Sequence, residues 1–210
     1  MHSIKINLWL ASFITAIIIP ILVFNSLVFN LEYYKEQFKI LDIYSIEPEA
    51  DNISAEILNF FNSNSELITN KLTSAEKSHL ADVKQVFSNL KTVMYFLIGL
   101  LLFLFFLIIK RLKTKDLLKE FIANYFLIIS IILFAVMIVF AISLFNFTSA
   151  FQNMHELLFP QGNYAFPEDS MLITLFPEQF FINFVKDFVI NIAAISVLLF
   201  GLGIAVKRVY

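Results

Sequence analysis

The chain has 210 residues, of which 59% are hydrophobic and 26 are Phe, with a net charge of −2 and a mean hydropathy of +0.80. A soluble domain of this length could not bury so much apolar surface, so the composition indicates a membrane protein. The sequence contains no Cys, which excludes disulfides, Cys-ligated metals and thiol nucleophiles. It also has no Lys/Arg tract interleaved with aromatic residues in a soluble segment, so the sequence does not indicate a nucleic acid partner.

Four segments are long and apolar enough to cross a membrane, because a spanning helix needs about 20 apolar residues. They run from about residue 8 to 29, 93 to 109, 121 to 145 and 188 to 206. We therefore expect an all-α membrane protein, with residues 1–210 forming a single membrane domain of four transmembrane helices. The first and third loops, 30–92 and 146–179, would form a small extracytoplasmic cap.

Basic residues near the ends of spans indicate orientation, because Lys and Arg concentrate on the cytoplasmic side. The short loop 110–120 holds five of them, whereas the loop 146–179 has none. Lys207 and Arg208 follow the last span, and Lys5 precedes the first. These charges predict a multi-pass protein of the cell membrane with both termini and the loop 110–120 in the cytoplasm.

The first loop contains several local signals. The segment 33–43 has no Gly or Pro and many aromatic and β-branched residues, so it predicts a strand or a helix. Pro48 and its acidic neighbours predict a helix to about Phe61, which the run Asn62-Ser63-Asn64-Ser65 ends. Thr73 and Glu76 have the spacing of a capping box, and predict a helix that runs directly into the second span.

His79 lies at the margin of the apolar stripe on that helix, three residues before Asp82. The carboxylate of Asp82 could therefore accept a hydrogen bond from the His79 ring. We expect Asp82 to orient or charge a group of the site, either by bonding His79 or by pairing with Lys84.

In the third loop, Phe147, Phe151, Met154 and Leu158 follow a helical spacing. The third span is therefore predicted to continue as an amphipathic helix, with His155 at the edge of its apolar face. Pro160 and Gly162 break that helix, and another is predicted to begin at Pro177.

These two histidines have an ordinary interpretation beside a chemical one. A His at the rim of an apolar face is commonly an interfacial residue with a hydrogen bond, and Asp82 and Glu156 are commonly solvated charges. His155-Glu156 lacks the second His of a zinc protease motif, because Phe159 stands there, and no G-x-S-x-G serine motif is present. Two His ligands from separate loops are a weak metal signal, so we predict no metal and no cofactor.

Three ordered motifs resemble those of the lipoprotein intramolecular transacylases, integral membrane enzymes of Gram-positive bacteria. They are T-S-A-E-K-S-H-L-A-D-V-K-Q-V-F (73–87), F-x-x-M-H-E-L-L-F (151–159) followed by G-N-Y-A-F-P (162–167), and L-F-P-E-Q-F-F (175–181). The chain departs from the expected pattern at Leu80 in place of Met, at Tyr164 in place of Trp, and at Phe166-Pro167 in place of Phe-Asp. The last two departures concern the detailed shape of the third loop, and the histidine positions stay in register.

The resemblance implies acyl transfer within one lipoprotein, from the sn-2 ester of its diacylglyceryl group to the α-amino group of its N-terminal Cys. It implies diacylglyceryl-modified lipoproteins and membrane lipid as partners, no nucleic acid, and an active site at the outer leaflet. The functional histidines of the family match His79 and His155, which would act as general acid and base. The supporting residues that we expect are Asp82, Lys84, Glu156, Asn163 and Tyr164.

The alternative from another class is a non-enzymatic four-span sensor or assembly protein, whose histidines would lie far apart. If the loops instead form one site, the two rings should lie within about one water-bridged hydrogen-bond span of each other. The oxyanion of the reaction would then be stabilised by backbone N–H groups near Gly162 and Asn163, or by the second His as imidazolium.

Overall fold

The computed structural model describes residues 2–63 and 65–208, and this part of the chain is helical without any strand. The helices are α1 (His2–Val28), α2 (Leu31–Ile40), α3 (Ala50–Asn62), α4 (Ser74–Ile109), α5 (Lys115–Ser143), α6 (Phe147–Leu158), α7 (Met171–Leu175) and α8 (Glu178–Arg208). Two short 3-10 turns, Ile43–Ser45 and Leu144–Asn146, follow α2 and α5. Asn64, part of the run predicted to end α3, lies outside the described residues, and α3 ends just before it.

Four helical segments of the described chain are long and apolar enough to span a membrane: Ile4–Val28, Ser74–Ile109, Lys115–Leu158 and Glu178–Arg208. The prediction of an all-α membrane protein with four such helices is therefore confirmed. The second helix begins 19 residues before its predicted span, at Ser74 instead of residue 93, as its capping box predicts. The last begins at Glu178, directly after Pro177.

The chain divides into two compact units, of which the first consists of Met1–Phe24, Lys91–Ile142 and Asp187–Tyr210. Its core is almost wholly aliphatic and aromatic, and includes Leu8, Ile14, Leu104, Ile108 and Phe121. Several hydroxyl groups here form hydrogen bonds inside the unit, because an unpaired polar group in hydrocarbon is costly. The Ser196 hydroxyl donates to the Ser130 carbonyl at 2.8 Å, and the Thr15 and Tyr125 hydroxyls are 2.6 Å apart.

The second unit, Asn25–Leu90 and Ser143–Lys186, contains both histidines of interest. Its core joins the buried faces of α2 and α3 to α7 and the first turns of α8. Aromatic rings dominate the centre, where Phe38 is fully buried and contacts Phe176 and Phe180 at centroid distances of 6.2 and 6.4 Å. The residues from the first and third loops therefore share one hydrophobic core.

The segment 33–43, for which the sequence left strand and helix open, is helical over its first part. Asn30 caps α2, because its side chain accepts the Glu32 N–H at 3.2 Å. The buried residues Tyr33, Tyr34, Gln37 and Phe38 recur at helical spacing. Gln37 accepts a hydrogen bond from the Asn183 amide at 2.7 Å, which satisfies a buried polar group at the edge of the core.

The capping box at the start of α4 is confirmed, and its carboxylate also binds the other loop. Glu76 is completely buried. One of its oxygens, Oε2, accepts from the Thr73 N–H at 2.7 Å and from the Thr73 hydroxyl at 2.8 Å. The other, Oε1, accepts from the Leu172 N–H of α7 at 2.8 Å. Glu76 therefore joins two segments that are 96 residues apart in the chain.

Replacing Glu76 by Gln should lower the free energy of unfolding by about 2 kcal/mol, because an amide group would face N–H donors that a carboxylate now satisfies. The measurement is thermal unfolding of the purified protein in detergent, followed by circular dichroism. Glu66→Gln, at an exposed position of the same loop, serves as the matched control and should leave the midpoint unchanged. Equal midpoints for the two variants would show that the buried carboxylate contributes nothing to stability.

Candidate active site

The two histidines predicted as a pair lie side by side in the second unit. The centroids of the His79 and His155 rings are 6.2 Å apart, and the ring planes differ by 24°. His79 lies in the polar first turns of α4, ahead of the apolar segment of that helix, and His155 lies in the last turn of α6. The expected proximity of the rings is thereby confirmed, and the two side chains can act on one bound molecule.

Aromatic side chains surround this pair. Phe159 and Phe166 contact the His79 ring at centroid distances of 4.8 and 5.5 Å. Phe151 and Tyr164 contact the His155 ring at 4.1 and 5.2 Å. Of these four, only Tyr164 is among the residues predicted from the sequence. The three Phe residues were not named as site residues, although all of them lie in the motifs at 151–159 and 162–167.

The hydrogen bond of His155 determines which of its nitrogens is available. Its Nδ1 lies 2.9 Å from the Phe151 carbonyl oxygen, one helical turn earlier. A carbonyl oxygen can only accept, so Nδ1 carries the proton in the neutral ring and Nε2 carries the lone pair. His155 is partly exposed, so this lone pair is open to a proton from a bound molecule.

His79 is the more deeply buried of the two, with 8% of its surface exposed. Burial lowers the pKa of His79 below its ordinary value, and the charge of a protonated His155 lowers it further. Asp82 and Asn163 oppose this by raising the pKa of His79. Since burial is the largest of these effects, His79 is neutral at pH 7 and stays neutral at pH values where an ordinary His becomes charged.

Asp82 lies at this site, but its partners differ from those predicted. Its Oδ2 accepts from the Gln161 side chain at 2.9 Å and from the side-chain amide of Asn163. The prediction that Asp82 bonds directly to the His79 ring, or pairs with Lys84, is wrong. The loop after α6 folds back over α4 and presents two amides that satisfy the carboxylate, and this fold was not visible in the local spacing.

Two other predicted residues make contacts elsewhere. Lys84 donates to the Ser63 carbonyl at 2.7 Å and its Nζ lies 4.1 Å above the Phe60 ring, so Lys84 connects α4 to the end of α3. Glu156 is exposed and accepts from Gln152 on its own helix at 3.0 Å. The site as folded therefore consists of His79, His155, Asn163 and Tyr164, with Asp82 behind Asn163.

The backbone of the loop after α6 corrects a further expectation. Gly162 has a positive φ of 76°, which a glycine adopts without strain, and its N–H donates to the Phe159 carbonyl at 2.9 Å. The Gly162 N–H is therefore occupied and is a poor oxyanion donor.

The structure shows no group of three or more His, Asp or Glu side chains in metal-binding geometry within residues 2–63 and 65–208.

A family model described as the lipoprotein intramolecular transacylase Lit matches residues 3–181 of the chain. Among solved structures, the chain is similar to the membrane integral lipoprotein intramolecular transacylase Lit from Bacillus cereus. The identity is 19%, the match covers 99% of this chain and 97% of that one, and the TM-score is 0.84. Structures of two variants of that protein, with a histidine changed to alanine or to arginine, match with TM-scores of 0.77 at 19% identity. These matches cover 94% and 93% of the two variant chains and 99% of this chain. No curated protein matches at a significant level.

The coupling between the two rings yields a prediction about titration. His155→Gln should raise the pKa of His79, because it removes a positive charge that opposes protonation of the buried ring. In a His2→Gln background, His79 is then the only imidazole of the chain, so NMR of ¹³C-labelled histidine follows it without overlap. Glu156→Gln, which removes an exposed charge beside His155, is the control and should shift the pKa of His79 less. A His79 pKa that falls or stays constant in His155→Gln would contradict the coupling.

Proposed function

Because the chain belongs to the lipoprotein intramolecular transacylase family, and is thus an acyltransferase that acts on lipoproteins, we propose that His79 and His155 catalyse its reaction as a general acid and base. The proposed reaction moves the sn-2 acyl chain of a diacylglyceryl group to the α-amino group of the N-terminal Cys of the same lipoprotein. The product is the lyso form, with one amide-linked and one ester-linked chain. The observation that carries the proposal is the 6.2 Å separation of the two rings.

The chemistry requires a proton acceptor and then a proton donor. An α-amino group has a pKa of about 7.7–8.0, so at neutral pH most of it is protonated and cannot attack an ester. The ammonium therefore first loses one proton to water, and a neutral imidazole then removes a second proton from the nitrogen as it attacks and the new C–N bond forms. The imidazolium then protonates the glycerol oxygen as the ester C–O bond breaks. The proton taken from the amine is thus returned to the alcohol, and no external reactant is consumed.

The pair is suited to this exchange because each ring offers a nitrogen that can accept a proton. Burial keeps the pKa of His79 below its ordinary value, and the Nε2 of His155 carries a lone pair. An acyl-enzyme is unnecessary, because amine and ester belong to one molecule and proximity alone supplies several kcal/mol. The oxyanion would be stabilised by the imidazolium of the second His or by the Asn163 backbone N–H.

The aromatic surroundings support transfer in preference to hydrolysis. An activated ester that meets water is lost as free fatty acid, so a transacylase must keep water from the reacting carbon. Phe151, Phe159 and Phe166 present apolar surface to the two rings. The alternative function, a non-enzymatic sensor, requires histidines that are far apart, and both the family and the ring separation argue against it.

The proposed orientation has both termini and the loop 110–120 in the cytoplasm, with the histidines at the outer leaflet of the cell membrane. The five basic residues of loop 110–120, against none in 146–179, support it. A protease added to intact cells should cleave a site inserted near Asn64 and spare one near Lys115. The opposite pattern would reverse the orientation.

The reaction is tested by expressing the protein in a host whose lipoproteins stay diacylated with a free α-amine. Mass spectrometry of the N-terminal peptide should show one acyl chain on nitrogen and one on glycerol at unchanged total mass. His79→Ala and His155→Ala should each reduce conversion by about 10²–10⁴-fold, the usual contribution of a general acid or base, while the protein stays in the membrane.

Two other outcomes would identify other reactions. Released fatty acid would indicate a lipase, and a mass gain of one acyl chain would indicate transfer from a separate phospholipid. Wild-type conversion by both single variants would refute the proposed acid–base pair.

A further inference from the structure

The side chain of Asn163 is held in one orientation beside His79. Its Nδ2 donates to the Asp82 carboxylate, which identifies the amide nitrogen and therefore also the oxygen, because a carboxylate only accepts. The remaining polar atom, Oδ1, is buried and makes no hydrogen bond of normal geometry, and the same is true of Nδ1 of His79. Two buried polar atoms, one a possible donor and one an acceptor, are thus left in the same site.

The effect of Asn163 on His79 shows how these atoms are related. Asn163 raises the pKa of His79, as a group does when it accepts a hydrogen bond from the protonated ring. In Asn163 only Oδ1 can accept. The buried nitrogen of the His79 ring that lacks a partner is Nδ1, so Nδ1–H and Oδ1 are a donor and an acceptor that would satisfy each other.

We infer that Asn163 is a positioning residue that accepts the Nδ1–H of His79 and thereby keeps the lone pair of the neutral ring on Nε2. Asp82 acts one step behind it, by holding the Asn163 amide and polarising it toward the ring. This inference rests on the proposed function, in which His79 exchanges a proton with the substrate.

The inferred arrangement gives both histidines the same tautomer. His155 is fixed as Nδ1–H by the Phe151 carbonyl, and His79 is fixed in the same form by the Asn163 carbonyl oxygen. A free neutral imidazole in water favours the opposite tautomer, Nε2–H, so each ring needs an acceptor at Nδ1. Loss of such an acceptor places the proton on the nitrogen that must accept one, which is costly in catalysis.

The tautomer can be measured directly in the full-length protein. In a His2→Gln background reconstituted in lipid nanodiscs, ¹⁵N-histidine NMR reports His79 and His155, and comparison with His155→Gln assigns each signal. Above its pKa, His79 should be in the Nδ1–H form. Asn163→Leu should move His79 toward Nε2–H and lower kcat by about tenfold with little change in KM, because the ring persists without its orienting partner.

Further variants separate the contribution of Asn163 from that of Asp82. Asp82→Asn keeps an acceptor oxygen for the Asn163 amide but removes the charge, so its effect on tautomer and kcat should be smaller than that of Asn163→Leu. The double variant Asp82→Asn with Asn163→Asp keeps an acceptor at the ring and a hydrogen bond between the two side chains, and should retain the Nδ1–H form even if Asn163→Leu does not fold. Asn59→Leu makes the same chemical change at an exposed position of α3, and should alter neither tautomer nor kcat.

The inference is overturned if His79 in the parent protein is in the Nε2–H form, or if Asn163→Leu, with an unaltered His155 signal, leaves the His79 tautomer unchanged. Loss of the Nδ1–H form in the double variant Asp82→Asn with Asn163→Asp would overturn it as well. These results do not depend on activity. If the tautomer responds as expected but no acyl transfer occurs, the proposed function fails and the assignment of Asn163 stands.

Discussion

The buried carboxylate of Glu76 holds together the segments that carry the site. One of its oxygens accepts the N–H of Thr73, the residue just before α4, and the other accepts the Leu172 N–H of α7. His79 follows Glu76 by one helical turn, and the loop that supplies Asn163, Tyr164 and Phe166 is the one that ends at α7. A buried carboxylate without hydrogen-bond donors costs free energy. Arrangements in which α7 does not pack against the start of α4 are therefore strongly disfavoured. The separation of the two rings therefore depends on an interaction that lies outside the site itself.

The site combines burial with a limited number of polar contacts. Aromatic rings contact both imidazoles; the burial of His79 favours its neutral form, and the apolar rings would protect an ester from hydrolysis. Asp82 provides one negative charge near the pair and raises the pKa of His79, but its carboxylate is hydrogen-bonded to the Asn163 amide and not to the ring. This arrangement lets the carboxylate influence the ring without forming an ion pair, which would keep the imidazole protonated and remove it as a base.

The sequence predicted those features that depend on local signals. The spans follow from apolar length, the start of α4 from the Thr73–Glu76 capping box, and the end of α6 from Pro160 and Gly162. The proximity of His79 and His155 was also predicted, because both lie at the edges of apolar helix faces in loops that share a family pattern. The helix at 33–43 remained ambiguous, since its aromatic residues suit either a strand or a helix until the buried face is known. The partners of Asp82 and Lys84, and the Leu172 N–H that Glu76 also accepts, were out of reach, because each depends on how a distant segment folds back.

The central claim, that two neighbouring histidines move an acyl chain within one molecule, is tested most directly by a crossover experiment. Purified protein would receive equal amounts of two diacylglyceryl lipopeptides, one unlabelled and one with a deuterated sn-2 chain and a ¹⁵N-labelled Cys. Our account predicts that every amide product carries both labels or neither, and that His79→Ala and His155→Ala form almost none. Products with one label only would contradict transfer within one molecule, and unchanged products from both variants would contradict the role of the histidines.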